Sequence, residues 1–165
     1  MIPKLAALVS RVYALLNRLE GLPILVVRVV LGVMFAQSGY GKLFKNHAGV
    51  VEFFTGLGIP FPALNAWFVG GVEFFGGLLL IVGLGTRIWA VQLAFTMLIA
   101  TLTSVLPDLK KENKYTGISD LFFVPEVLAL LLLVWMVFSG PGCLSLDHLV
   151  RKKLAPPPPP PKPAP

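Results

Sequence analysis

The sequence predicts an all-α protein, a four-helix transmembrane bundle with an N-terminal amphipathic interfacial helix. Three observations carry this. Apolar runs occupy residues 23–43, 64–84, 88–106 and 118–138, each about 20 residues, the length an α-helix needs to cross a hydrocarbon core of about 30 Å. Hydrophobic residues make up 56% of the 165-residue chain and charged residues 13%, about half the charged share of a soluble domain. The runs are apolar on every face, more than one core of this size could hide, so the bilayer must be the solvent. Backbone groups in hydrocarbon have to satisfy one another, which leaves helices or a closed barrel. The strict polar/apolar alternation of barrel strands is missing from all four runs.

Residues 1–20 come first. Leu5, Leu8, Val9, Val12, Leu15, Leu16 and Leu19 recur at helical spacing, with Lys4, Arg11, Asn17 and Arg18 set apart from them. That pattern predicts a helix lying in the interface or docked on a partner helix. A signal peptide is disfavoured, because Arg11 and Arg18 interrupt the apolar stretch and no small-residue cleavage site follows. The membrane domain then spans residues 21–148. Its first connection, 44–63, is long. Val50, Val51, Phe53, Phe54 and Leu57 predict a short surface helix before Gly58-Ile59-Pro60-Phe61-Pro62 turns the chain back. The second, 83–87, is so short that the helices it joins must be antiparallel neighbours. The third, 107–117, is charged and reads as a solvated loop. Ser139-Gly140-Pro141-Gly142 stops the last helix, and residues 149–165 read as a basic, proline-rich, disordered tail. Its proline run is a stiff spacer or a ligand for an aromatic-lined groove.

An even number of crossings puts both termini on one side. That side holds Lys4, Arg11, Arg18, Arg87, Arg151, Lys152, Lys153 and Lys162, against Lys42, Lys45, Lys110, Lys111 and Lys114 on the other. The bias places both ends in the cytoplasm. The net charge of +6 is mostly this signature plus attraction to anionic lipid. No basic face interleaved with aromatics on a soluble module suggests a nucleic-acid partner. The single cysteine, Cys143, excludes an intramolecular disulfide and a CxxC pair, and reads as a small apolar residue at a helix end.

Chemistry is to be sought at the charges inside the runs. A charge at such depth costs on the order of 2.5–3.5 kcal/mol by insertion scales, so it persists when paired, hydrated or functional. Arg28, Gly32, Phe35, Gly39 and Lys42 share one face of the first helix, and Ala66, Gly70, Glu73 and Gly77 one face of the second. Small residues allow close helix approach, so Gly32, Gly39, Gly70 and Gly77 should point these faces, and the charges with them, into the bundle. Gln92 and Thr96, with Thr103, would add a polar stripe on the third helix. At 1.5 Å per residue, Glu73 and Glu126 both lie roughly 12–14 Å below the outer helix ends, and Arg28 roughly 9 Å above the inner end. A network of Arg28, Glu73 and Glu126 is therefore expected. Lys42 and Asp120, nearer the outer ends, read first as surface partners, with Lys42 also a binding candidate. Two converging carboxylates in a dry site would share one proton rather than both ionise, which suits the head group of a quinone.

The order of these motifs resembles the DoxX family. Arg28-x-x-x-Gly32-x-x-Phe35-x-x-x-Gly39-x-x-Lys42-Leu43 looks like its first helix. Gly58-Ile59-Pro60-x-Pro62, Glu73-x-x-Gly76-Gly77 and Gly83-Leu84-Gly85-Thr86-Arg87 follow in order, and Gly140-Pro141-Gly142-Cys143-Leu144-Ser145-Leu146-Asp147 closes the match. The resemblance covers residues 24–148 and implies a four-helix inner-membrane protein. Some members look like subunits of thiosulfate:quinone oxidoreductase, and others accompany amine-oxidation or thiol-stress systems.

No motif for flavin, haem, nucleotide or metal is present, and His47 and His148 stand in different loops. A self-sufficient enzyme is therefore not expected. The chain reads as a membrane subunit associated with an oxidoreductase system, with the bilayer and other membrane or peripheral redox proteins as partners and a quinone as the ligand the buried charges would suit. The alternatives are a non-catalytic scaffold or assembly subunit, whose charges only set helix register, and a small-molecule transporter. The last has little support, since no internal repeat offers alternating access.

Overall fold

Proline and glycine punctuate the helices. The computed structural model describes residues 21–111 and 117–154, with Ser10, Tyr13, Ala14, Asn17 and Leu19 before them. Most of the expected interfacial helix over 1–20 lies outside the described residues, as does the proline-rich end of the tail, while Ser10, Tyr13, Ala14 and Asn17 are helical. Helix α1 is Gly21–Tyr40 and runs on through a π-helical turn, Gly41–Lys45. Helix α2, His47–Gly56, is the short surface helix expected in the first connection. Helix α3, Pro62–Val82, has a proline in its first turn, where no N–H partner is needed, and stops at Gly83 in the left-handed region (φ 73°). Gly85, also left-handed, opens α4, Thr86–Ala100. A second π-helical turn, Thr101–Val105, and α5, Leu106–Lys111, extend α4 without a break.

The described residues contain no strand, and Gly21–Lys45, Pro62–Val82 and Thr86–Lys110 are each long and apolar enough to span a membrane. The third span thus runs past Leu106 into what reads as loop, because Asp108 and Lys110 are tolerated by a helix end emerging into water. The fourth run differs more. It is split into α6, Ile118–Leu121, and α7, Pro125–Ser139. Pro125 cannot donate an N–H and pushes Val124 into extended geometry (φ −93°, ψ 125°), so an uninterrupted helix over 118–138 cannot form. Glu126 accordingly sits in the first turn of α7 rather than well inside a span.

Residues 146–154 also depart from the disordered tail expected from 149 onward. They form α8, Leu146–Leu154, whose start is capped by Ser145: its Oγ accepts the His148 N–H at 3.1 Å.

The protein is a helical membrane bundle. Helix α1 packs mainly on α3, α7 mainly on α4, and α3 joins the two pairs through α4. The core is Leu31, Phe35, Val72, Leu80, Ala90, Leu93, Ala94, Ala129, Leu133 and Met136. Large apolar side chains such as Phe68, Ile88, Phe95 and Phe138 point outward, as they should where hydrocarbon is the surroundings. The α1–α3 seam is backbone on backbone. A Cβ on Gly39 would lie 2.3 Å from Phe74 N, and one on Gly77 would lie 2.4 Å from Ala36 N. Lipid gives helices no hydrophobic reason to associate, so this close van der Waals contact is what holds the pair.

A candidate ligand cavity at the Lys42–Glu73 ion pair

The seam fixes which charges can meet. In the antiparallel register, Gly32 faces Gly77 and Gly39 faces Gly70 and Phe74, so Lys42 stands across from Gly70. Helical side chains lean toward their own N-terminus. Lys42 therefore leans toward the C-terminal half of α3, and Glu73 leans back toward Gly70. They meet. Lys42 Nζ donates to both Glu73 oxygens at 2.5 Å, with Glu73 1% exposed and Lys42 27% exposed. Lys42 is thus the partner of the buried carboxylate rather than a surface residue. Its place in the Gly41–Lys45 π turn is notable, since such widened turns recur at functional sites.

The expected Arg28–Glu73–Glu126 network does not form. The same register sets Arg28 beside Gly83, about 15 Å along α3 from Glu73. There its guanidinium donates to the carbonyls of Pro141 and, at 2.5 Å, Leu144. Asp147 completes this clasp. Its Oδ1 accepts the Gly85 N–H at 2.8 Å, its Oδ2 accepts the Thr86 N–H at 2.9 Å, and its own N–H donates to Gly83 O. One buried arginine and one carboxylate thus tie the 140–147 segment to α1 and to the α3–α4 turn. The roles of Ser145 and Asp147 escape sequence reasoning, although a Ser three residues before His148 is a cap signal. Cys143 is exposed, beside Gly21.

At the opposite end of the bundle, a cavity of about 680 Å³ opens beside the ion pair. Its walls come from α1 (Met34, Phe35, Ser38, Lys42), α2 (Val50, Phe53, Phe54), α3 (Phe68, Val69, Glu73), α4 and its π turn (Phe95, Thr96, Thr103, Ser104), and the start of α7 (Pro125, Glu126). Glu73 and Glu126 therefore share a cavity, but Lys42 holds Glu73. The Glu126 side chain is half-buried and makes no ion pair or hydrogen bond among the described residues. Phe53, Phe68 and Phe95 are both lining and largely exposed, so the cavity is continuous with the lipid-facing surface. Both π-helical turns flank it, and neither leaves a sequence signal.

Thr96 lines the cavity, its hydroxyl turned to Leu93 O at 2.8 Å. Gln92 does not join it. The buried face of α4 is set by Ala90, Leu93 and Ala94, and Gln92 falls on the far side, exposed. Among the described residues no group of His, Cys, Asp and Glu has metal-ligand geometry.

Comparison with known proteins agrees with this architecture. The family description DoxX matches residues 23–105. "Inner membrane protein YqjF" of Escherichia coli (strain K12) is 30% identical over 139 residues, 84% of this chain and 99% of that one. "Putative oxidoreductase CatD" of Bacillus subtilis (strain 168) is 30% identical over 128 residues, 78% of this chain and 87% of its own length. "Uncharacterized membrane protein Rv3486" of Mycobacterium tuberculosis (strain ATCC 25618 / H37Rv) is 30% identical over 141 residues, 81% and 85% of the two chains. No solved structure matches. With the family match spanning half of the chain and these relatives aligned over most of their length, the chain belongs to the DoxX family.

Proposed function

We propose that the chain is a membrane subunit of an oxidoreductase system in the cytoplasmic membrane, and that its cavity receives the head group of a quinone. One observation carries this reading: a cavity of ligand size joins a buried ion pair to lipid-exposed aromatic walls. Its volume falls within the range of about 300–1,000 Å³ typical of small-molecule sites. A quinone is polar at one end and greasy at the other, and it arrives through lipid. Lys42 retains one N–H donor for a quinone carbonyl, and Glu73 and Glu126 supply acceptors for the hydroxyls of the reduced form. Electrons would come from a partner protein. The name of the Bacillus relative as an oxidoreductase and that of the Escherichia relative as an inner membrane protein support the two halves of the proposal.

The scaffold reading rests on a different observation: Arg28 and Glu73 each have their partners inside the chain. One experiment separates the two. The protein is extracted gently into lipid nanodiscs, and co-purifying proteins and lipid-soluble cofactors are identified by mass spectrometry. Loss of a charge-assisted hydrogen bond weakens binding about tenfold or more, so quinone retention should fall by that factor in the Lys42→Met, Glu73→Gln double variant. Equal retention in both proteins, or none in either, sinks the quinone reading. Partners recovered unchanged with the double variant would then leave the scaffold.

A further inference from the structure

The clasp end of the bundle carries a second site, independent of the cavity. Helix α8 starts on Asp147, which is anchored to the α3–α4 turn, so it lies where α1 begins, α3 ends, α4 begins and α7 ends. That is the level at which hydrocarbon gives way to head groups. The helix is apolar along one side and basic at its C-terminal end. Leu146, Leu149, Val150 and Leu154 recur at helical spacing and are 41–77% exposed, while Arg151, Lys152 and Lys153 fill its last turn. Between α8 and the start of α4 is a cleft of about 240 Å³, lined by Gly85, Arg87, Ile88, Pro141, Asp147, Val150 and Arg151.

We propose that this cleft binds the phosphodiester of an anionic phospholipid, with Arg87 and Arg151 as its cations and the acyl chains running along Ile88 and the apolar face of α8. Two arguments select lipid. Val150 of α8 and Ile88 of α4 line the same cleft, and Ile88 leads onto the outward-facing Val91 and Phe95, so the apolar face of α8 continues the surface that hydrocarbon covers. The charge is complementary as well. Both Asp147 oxygens are already occupied by backbone N–H groups, and among the described residues Arg87 makes only a 3.4 Å contact with Phe138 O. Two arginines therefore line the cleft, and their planar guanidinium forks suit phosphate oxygens.

The test uses the full chain in nanodiscs made from an equimolar mixture of phosphatidylglycerol and phosphatidylcholine. The lipid that remains bound after detergent extraction is counted by native mass spectrometry. The wild-type protein should retain phosphatidylglycerol over phosphatidylcholine, and each of Arg87→Gln and Arg151→Gln should reduce that preference about fivefold. Raising salt on the wild-type protein to about 1 M, where the screening length falls to about 3 Å, should erase most of the preference without any substitution. Arg87→Lys and Arg151→Lys should keep part of it, since charge remains while the fork is lost. A wild-type preference absent from the start, indifferent to salt, or equal in the glutamine variants overturns the proposal. So does a preference that disappears only with Lys152→Gln and Lys153→Gln, which would place the lipid on the surface of α8 instead.

Discussion

At the scale of single residues, pairing decides what each buried charge can do. Glu73 is 1% exposed and depends on Lys42. Removing one partner leaves an uncompensated charge in a dry site, which costs about 3–5 kcal/mol, whereas removing both leaves none. Lys42→Met or Glu73→Gln alone should therefore lower thermal stability in detergent more than the double variant does. A double-mutant cycle that closes additively would break the pairing. Arg28→Leu and Glu73→Gln, by contrast, act on separate ends of the bundle and should add to within about 0.5 kcal/mol. Arg28→Leu should itself be costly, because it strips the Pro141 and Leu144 carbonyls of their donors.

At the scale of elements, the α1–α3 seam makes the ion pair possible, since only glycine lets Lys42 come opposite Gly70. A Cβ on Gly39 would press on Phe74 N at 2.3 Å, and backbone cannot swing aside as a side chain can. Gly39→Ala should force the helices apart and cost at least about 1–3 kcal/mol. Gly71 lies on the same α3 helix with nothing within 4 Å of its would-be Cβ. There Gly71→Ala should be neutral or slightly stabilising, since alanine is the better helix former. Melting curves of the two variants make the comparison, and equal losses would mean that the seam is looser than described. The break at Pro125 is the other element-scale decision, because it brings Glu126 to a helix start at the cavity wall.

At the scale of the molecule, the bundle has two unlike ends: a clasp built on Arg28 and Asp147, and a cavity built on Lys42 and Glu73. The distribution of lysine and arginine predicts that the clasp end, with both termini, faces the cytoplasm. Reporter fusions at residue 112 and at the C-terminus should then give opposite sidedness, the C-terminal one cytoplasmic. Swapped signals would reverse the orientation, and equal signals would mean that α7, only about 22 Å long, does not complete a crossing. Much of this architecture is legible in the chain, because span length, glycine spacing and the Gly83–Gly85 turn depend on local composition. The positions of Gly32, Gly39, Gly70 and Gly77 mark the seam for the same reason.

By itself, then, the sequence determined that this is a helical membrane bundle, which residues are too polar for lipid, and which helix faces are thin enough to meet. Those properties belong to short segments and to the solvent they must satisfy. Tertiary structure alone decided who pairs with whom. Composition and depth alone suggest a network of Arg28, Glu73 and Glu126 with Lys42 at the surface, and only the register between α1 and α3 rules it out, by leaving Arg28 beside Gly83, about 15 Å along α3 from Glu73. The register set by glycine backbones crossing at van der Waals distance sends Lys42 to Glu73 and Arg28 to the 140–147 segment. The two π-helical turns and the break before Pro125 then leave space beside that pair, and a cavity is a property of how helices fail to fill a volume, not of any one of them.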